Sequence, residues 1–139
     1  MDRSEALSRF ATAPVARLAT VGVRGPHIVP TTFAFDGDAV VTCVDAKPKT
    51  TTRLQRLANI AVNPQVSLLA DHYEDDWTRL WWVRVDGTAR VVDSGHDFER
   101  ALATLVARYE HYRIAAPPGP AIVIAIDRVV SWEAAGTAQ

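Results

Sequence analysis

Apolar and polar positions alternate along most of this chain in short runs, and turn residues punctuate them. "VARLATV" (15–21), "HIVPTTFAF" (27–35) and "AVVTCV" (39–44) are separated by "GVRG" and "DGD". Period-two runs broken by Gly and Asp predict consecutive antiparallel strands joined by tight turns. Pro30 cannot donate to a ladder, so its strand is expected at an edge or a local break. "QVSLLADHY" (65–73), "LWWVRVDGTARVV" (80–92) and "AIVIAIDRVVSW" (121–132) read as further strands, the second as one or two. Three stretches carry a helical period instead. In "SEALSRFAT", Leu7 and Phe10 stand three apart. From about Thr50 to Val62, Leu54, Leu57, Ala58 and Ala61 form one stripe. Phe98, Leu102, Leu105, Val106 and Tyr109 form another to about residue 112, with Ser94 and Asp97 spaced as a capping box.

The order is helix, three strands, helix, two or three strands, helix, strand. Such closely spaced strands leave no room for parallel crossovers. The expected architecture is mainly β with α (α+β), a small antiparallel barrel with covering helices. At 139 residues the chain is expected to form a single domain spanning 1–139.

Composition changes this picture little. Net charge is −1 and 48% of residues are apolar. Neither nucleic acid nor a membrane surface is indicated, and no apolar run reaches the roughly 18 residues of a membrane helix. A cytoplasmic protein is the expectation. The single cysteine, Cys43, excludes an intramolecular disulfide and reads as a buried small side chain. His27, His72, His96 and His111 are scattered, so no metal site is expected. No nucleophile elbow or P-loop occurs. Chemistry, if present, is expected to come from a cofactor.

One segment breaks the charge balance. "VDAKPKTTTRLQRLANIAVNP" (44–64) holds Lys47, Lys49, Arg53 and Arg56, with an acid only at Asp45. On a helix, Lys49, Arg53 and Arg56 fall on one side, and Thr50, Thr51 and Thr52 stand at the start. First-turn amides, hydroxyls and the helix dipole all favour an anion there, such as a phosphate. A solvated basic face, or ion pairs with the acidic loop 71–76, are the alternatives. On the strand at 80–92, Trp81, Val83 and Val85 share an apolar face, whereas Trp82 shares its face with Arg84 and Asp86. Trp81 is expected in the core, and Trp82 is expected to cover a ligand ring, a partner subunit or another element.

The stretches "ARLATVGVRGPHIVPTTFAFDGDAVV", "KPKTTTRLQRLANIAVNPQVSLLADHYEDDW" and "LWWVRVDGTARVV" together resemble the pyridoxamine 5'-phosphate oxidase-like split β-barrel family of flavin and deazaflavin oxidoreductases. They cover about two-thirds of the chain. The "DAKPKTTTRLQRLANI" and "DHYEDDW…LWWVRVDG" forms resemble an actinobacterial subgroup that uses coenzyme F420, a deazaflavin. The resemblance implies a homodimer with one cofactor in each of two interface grooves and a small-molecule substrate. It implies that Val29, Pro30, Thr31 and Thr32 line the ring. Lys47, Lys49, Thr50, Thr51, Arg53 and Arg56 would bind the phosphate. Trp77 and Trp82 are the candidates that close the partner's groove. It implies hydride transfer between reduced F420 and an organic acceptor, with no side chain required as acid or base. An FMN-dependent oxidase or reductase, and a non-catalytic cofactor-binding protein, are the alternatives.

Overall fold

The computed structural model describes residues 1–44 and 51–135, and residues 51–54 by their backbone alone. Helix α1 (Arg3–Thr12) starts at Asp2, whose carboxylate accepts the Glu5 amide at 2.9 Å. Four strands follow: β1 (Ala16–Gly22), β2 (Gly25–Thr31), β3 (Ala34–Asp36) and β4 (Ala39–Cys43). Next come α2 (Thr51–Val62), β5 (Gln65–His72), a 3-10 turn (Trp77–Arg79) and β6 (Trp81–Val92). Helices α3 (Gly95–Arg108) and α4 (Glu110–Ile114) precede β7 (Ala121–Glu133).

All seven strands pair antiparallel in the order β2-β1-β5-β6-β7-β4-β3. The two edges, β2 and β3, are neighbours in sequence, joined through Thr32 and Phe33 alone. The three Cα steps from Thr31 to Ala34 span at most roughly 11 Å, so the sheet must curl to bring its edges together. Thr31 and Thr42 hydroxyls meet across the opening at 2.6 Å. The result is an antiparallel barrel with covering helices, as the strand pattern predicted, and split as the family resemblance implied. Pro30 lies on the edge strand, as expected of a residue without a ladder donor.

The barrel core contains Phe10, Leu18, Phe33, Val40, Leu68, Val83, Val85, Ile122 and Ile124, all buried. Phe10 of α1 packs at a tilt against Phe33 with centroids 4.9 Å apart. Each fully buried side chain of this size contributes about 1.5–3 kcal/mol. Trp81 packs against this core, and Cys43 is buried in a second cluster under α3 and α4.

Four details differ from the sequence pattern. The run 27–35 is two strands, not one. The amide of Phe33 donates to the Tyr109 hydroxyl, and its carbonyl accepts from Arg108 and Tyr109, so these groups bond side chains instead of a strand. Residues 80–92 form one strand with a bulge at Asp86/Gly87. Ser94 makes no side-chain cap; Asp97 instead accepts from Arg90 at 2.9 Å, and the helix breaks at Tyr109 before α4. Helix α2 is rotated from the predicted stripe: Arg56, Asn59 and Ile60 are buried, whereas Ala58 and Ala61 are exposed. Alanine gains little from burial, and the buried Asn59–Thr20 hydrogen bond fixes the rotation.

Candidate functional site

Strand alternation divides the predicted ring-lining run. Val29 and Thr31 pair with Leu18 and Ala16, which face the core. Pro30, opposite Arg17, faces outward with Ile28, which is 64% exposed. The Thr31 side chain is buried, with its hydroxyl 2.6 Å from Thr42 Oγ1 and 3.0 Å from the Thr32 carbonyl. Thr32 lies in the crossover, half-buried, with its hydroxyl 2.7 Å from the Tyr112 phenol oxygen. Nδ1 of His27, also on β2, is buried and has no hydrogen-bond partner among the described residues.

The outward face continues across the sheet. Register aligns Pro30, Arg17, Leu69, Arg84 and Val130 in one row. Two residues along, Asp71, Trp82 and Trp132 form the parallel row, so Trp82 stands directly opposite Trp132. Trp82 is half-buried and Trp132 is 46% exposed. With Leu69, Tyr73, Leu80 and Trp81 they line a cleft of about 370 Å³. Trp77 is 67% exposed on the 3-10 turn, its ring edge-on to Tyr73 at 6.4 Å. Pro30 and Trp82 thus share one surface, but β2 and β6 are three strand spacings apart, roughly 14 Å along the sheet.

The middle of this face is polar. Asp86 accepts from Arg84 at 2.8 and 3.1 Å and from Ser67 at 2.7 Å, and Arg128 lies 3.4 Å away. Partial burial opposes its ionisation, but these hydrogen bonds and the two positive charges outweigh burial and hold its carboxyl below the usual range. The acidic loop is held locally: Asp71 meets Arg17 at 3.4 Å, and Glu74 meets Arg79 at 3.3 Å and hydrogen-bonds the His72 ring. Hydrogen bonds from the Thr78 hydroxyl and amide keep Asp76 ionised to lower pH.

Of the predicted phosphate ligands, Lys47, Lys49 and Thr50 lie outside the described residues, as do the side chains of Thr51 and Arg53. Helix α2 itself is present from Thr51. Arg56 is 7% exposed, on the buried side of the helix with Asn59 and Ile60. Asn59 donates to Thr20 Oγ1 at 3.0 Å and accepts from Gln55 at 2.7 Å, tying α2 to β1.

Several residues at this surface were not singled out from sequence. Ile28 was available in the alternation around Pro30. Trp132 was not, because its place opposite Trp82 depends on a register between strands 50 residues apart. Among the described residues, no group of three or more His, Cys, Asp or Glu side chains could hold a metal ion, and no helix is long and apolar enough to cross a membrane.

The sequence profile described as pyridoxamine 5'-phosphate oxidase matches residues 3–133. No curated protein sequence matches the chain. Among solved structures, the chain is similar to an FAD-binding protein from Mesorhizobium loti, with 20% identity, TM-score 0.72 and 94% of each chain covered. It is similar to the conserved protein Rv2991 of Mycobacterium tuberculosis, with 22% identity, TM-score 0.75 and coverage of 96% of this chain and 85% of that one. A heme-binding protein from Mycobacterium smegmatis shares 23% identity with TM-score 0.72, over 97% of this chain and 54% of that one. At these identities the likeness concerns the fold.

Proposed function

This chain belongs to the pyridoxamine 5'-phosphate oxidase family, and on that footing we propose that it is a coenzyme F420-dependent oxidoreductase acting as a homodimer. The observation that carries the proposal is the shared outer face of the sheet. The β2 edge offers a strand to one side of a planar ring, while Trp82 and Trp132 present aromatic surface on the same face roughly 14 Å away. That gap suits a second copy, laid across the face, whose Trp77 and Trp82 close the groove that starts at Val29–Thr32. A protein expected to bring no acid, base or metal of its own fits a cofactor-borne reaction.

The chain's own groups suit a ring with an anionic tail. Thr32 brings a hydroxyl, and β2 an edge that pairs on one side only among the described residues. Lys47, Lys49, Thr50, Thr51 and Arg53 would hold the tail where α2 begins. Arg56, on the buried side of α2, adds positive charge behind that site. The bound coenzyme would supply hydride transfer to or from a small organic acceptor. Pro30 and Ile28 would set the ring's plane, and the indoles would exclude water from it.

Four cations in one segment favour the longer, more anionic deazaflavin tail. A second proposed reading keeps the site and places FMN in it, and the likeness to an FAD-binding protein favours a flavin there. Side-by-side fluorescence titration with F420 and FMN tests the choice. Tighter binding of F420 is expected. Tighter binding of FMN would replace the first reading with the second, and binding of neither would end both.

A further inference from the structure

The cleft beside Trp82 has chiefly aromatic walls set in a continuous ladder. Strands β6 and β7 pair as far as Trp81 and Glu133, and the Ala134 amide then donates to the Leu80 carbonyl at 2.9 Å. Trp81 packs against the barrel core at this end. Trp82 and Trp132, opposite each other in the ladder, both face the cleft of about 370 Å³. Side chains so placed have Cβ atoms only about 4.5–5.5 Å apart, within reach of a stack. Among the described residues, however, these two rings do not stack on one another; Tyr73, a further wall, meets Trp77 edge-on at 6.4 Å. Leu69 and Leu80 supply more apolar surface.

The titratable groups that line the cleft are matched within the chain. Asp71 meets Arg17 at 3.4 Å. Arg84 donates to both oxygens of Asp86, at 2.8 and 3.1 Å, and His72 hydrogen-bonds Glu74. The cleft therefore presents balanced charge. A charged ligand would give up hydration there without gaining a partner of its own, whereas an uncharged one meets no such cost. Flat indole faces favour a flat π-system, offset-stacked or edge-on. The volume stands at the lower end of the range for small-molecule sites, roughly 300–1,000 Å³.

We propose that this cleft is a binding site for a small, uncharged, planar aromatic molecule with fused rings. Trp82 and Trp132 are its aromatic walls, and the ladder that carries them holds both in place before the ligand arrives, which lowers the cost of binding. The site goes beyond the cofactor reading and does not depend on it. An indole has two faces, so Trp82 can wall the cleft with one and close a partner's groove with the other.

The test is calorimetric titration of the full chain at neutral pH, without added coenzyme, with three probes. These are 2-naphthol, its anionic analogue naphthalene-2-sulfonate and its saturated, non-planar analogue decahydro-2-naphthol. 2-Naphthol is expected to bind about tenfold more tightly than either analogue. Trp132→Ala should weaken 2-naphthol binding by about tenfold, the scale of one lost aromatic wall, and Trp132→Phe should restore most of it. Circular dichroism checks the fold, and Tyr73→Ala, with a loss of about threefold expected, carries the test should Trp132→Ala fail to fold. No binding of 2-naphthol, or equal binding by the unaltered protein and Trp132→Ala, would overturn the site. Tighter binding of the sulfonate would overturn the uncharged class of ligand. A protein that binds F420 but not 2-naphthol keeps the cofactor reading and loses this site; the reverse result loses the cofactor reading alone.

Discussion

A Cβ placed on Gly22 would lie 2.0 Å from Oδ1 and 2.7 Å from Cγ of Asn59. Glycine at the end of β1 is what lets α2 approach the sheet closely enough for Asn59 to bond Thr20. The same contact sets the rotation of α2, and so the direction in which its first turn points.

Gly22→Ala should therefore cost about 1–3 kcal/mol, the usual range for overpacking. Chemical denaturation is the measurement. The penalty should shrink in an Asn59→Ala background, where both clashing atoms are gone. An equal penalty in the two backgrounds would mean that Asn59 is not what excludes the methyl group.

Trp82→Ala should weaken dimerisation or cofactor affinity by roughly tenfold or more, as loss of a central interface aromatic does. Light scattering and titration read the two effects. If neither moves, Trp82 serves only to pack against Trp132 and the cleft it lines.

Asp36 accepts two hydrogen bonds from Arg100, at 2.6 and 2.8 Å, joining β3 to α3. Those hydrogen bonds and the guanidinium charge hold its carboxyl below its ordinary value of 3.8 against slight desolvation. A depressed folded-state value contributes stability that is complete above the ordinary value and is lost as pH falls through the folded one. Wild type should thus exceed Asp36→Asn in stability at neutral pH, and the gap should close below about pH 4. Melting curves across that range provide the check. A gap independent of pH would remove the ion pair as its cause.

Much of the barrel is legible in single residues. The alternation of Val83 and Val85 with Arg84 and Asp86 gave both the strand and its inward face, and Pro30 marked the edge. The break at Thr32–Phe33 is not legible, because it is made by Arg108 and Tyr109, about 75 residues away. The rotation of α2 is hidden for a similar reason: a buried Asn59 opposite Thr20 outweighs two alanines that looked apolar. Of the site, the basic segment stands out by charge alone. The Thr32–Tyr112 contact and the Trp82–Trp132 pair arise only when the sheet closes.

The proposed cofactor site requires that the basic residues at the start of α2 hold an anionic coenzyme tail. Fluorescence titration of F420 into the unaltered protein and into Lys49→Ala/Arg53→Ala tests it most directly. The double variant should bind more than about tenfold more weakly, as the loss of two charge-assisted contacts implies, with its melting temperature retained. Equal affinity in the two proteins would contradict the assignment.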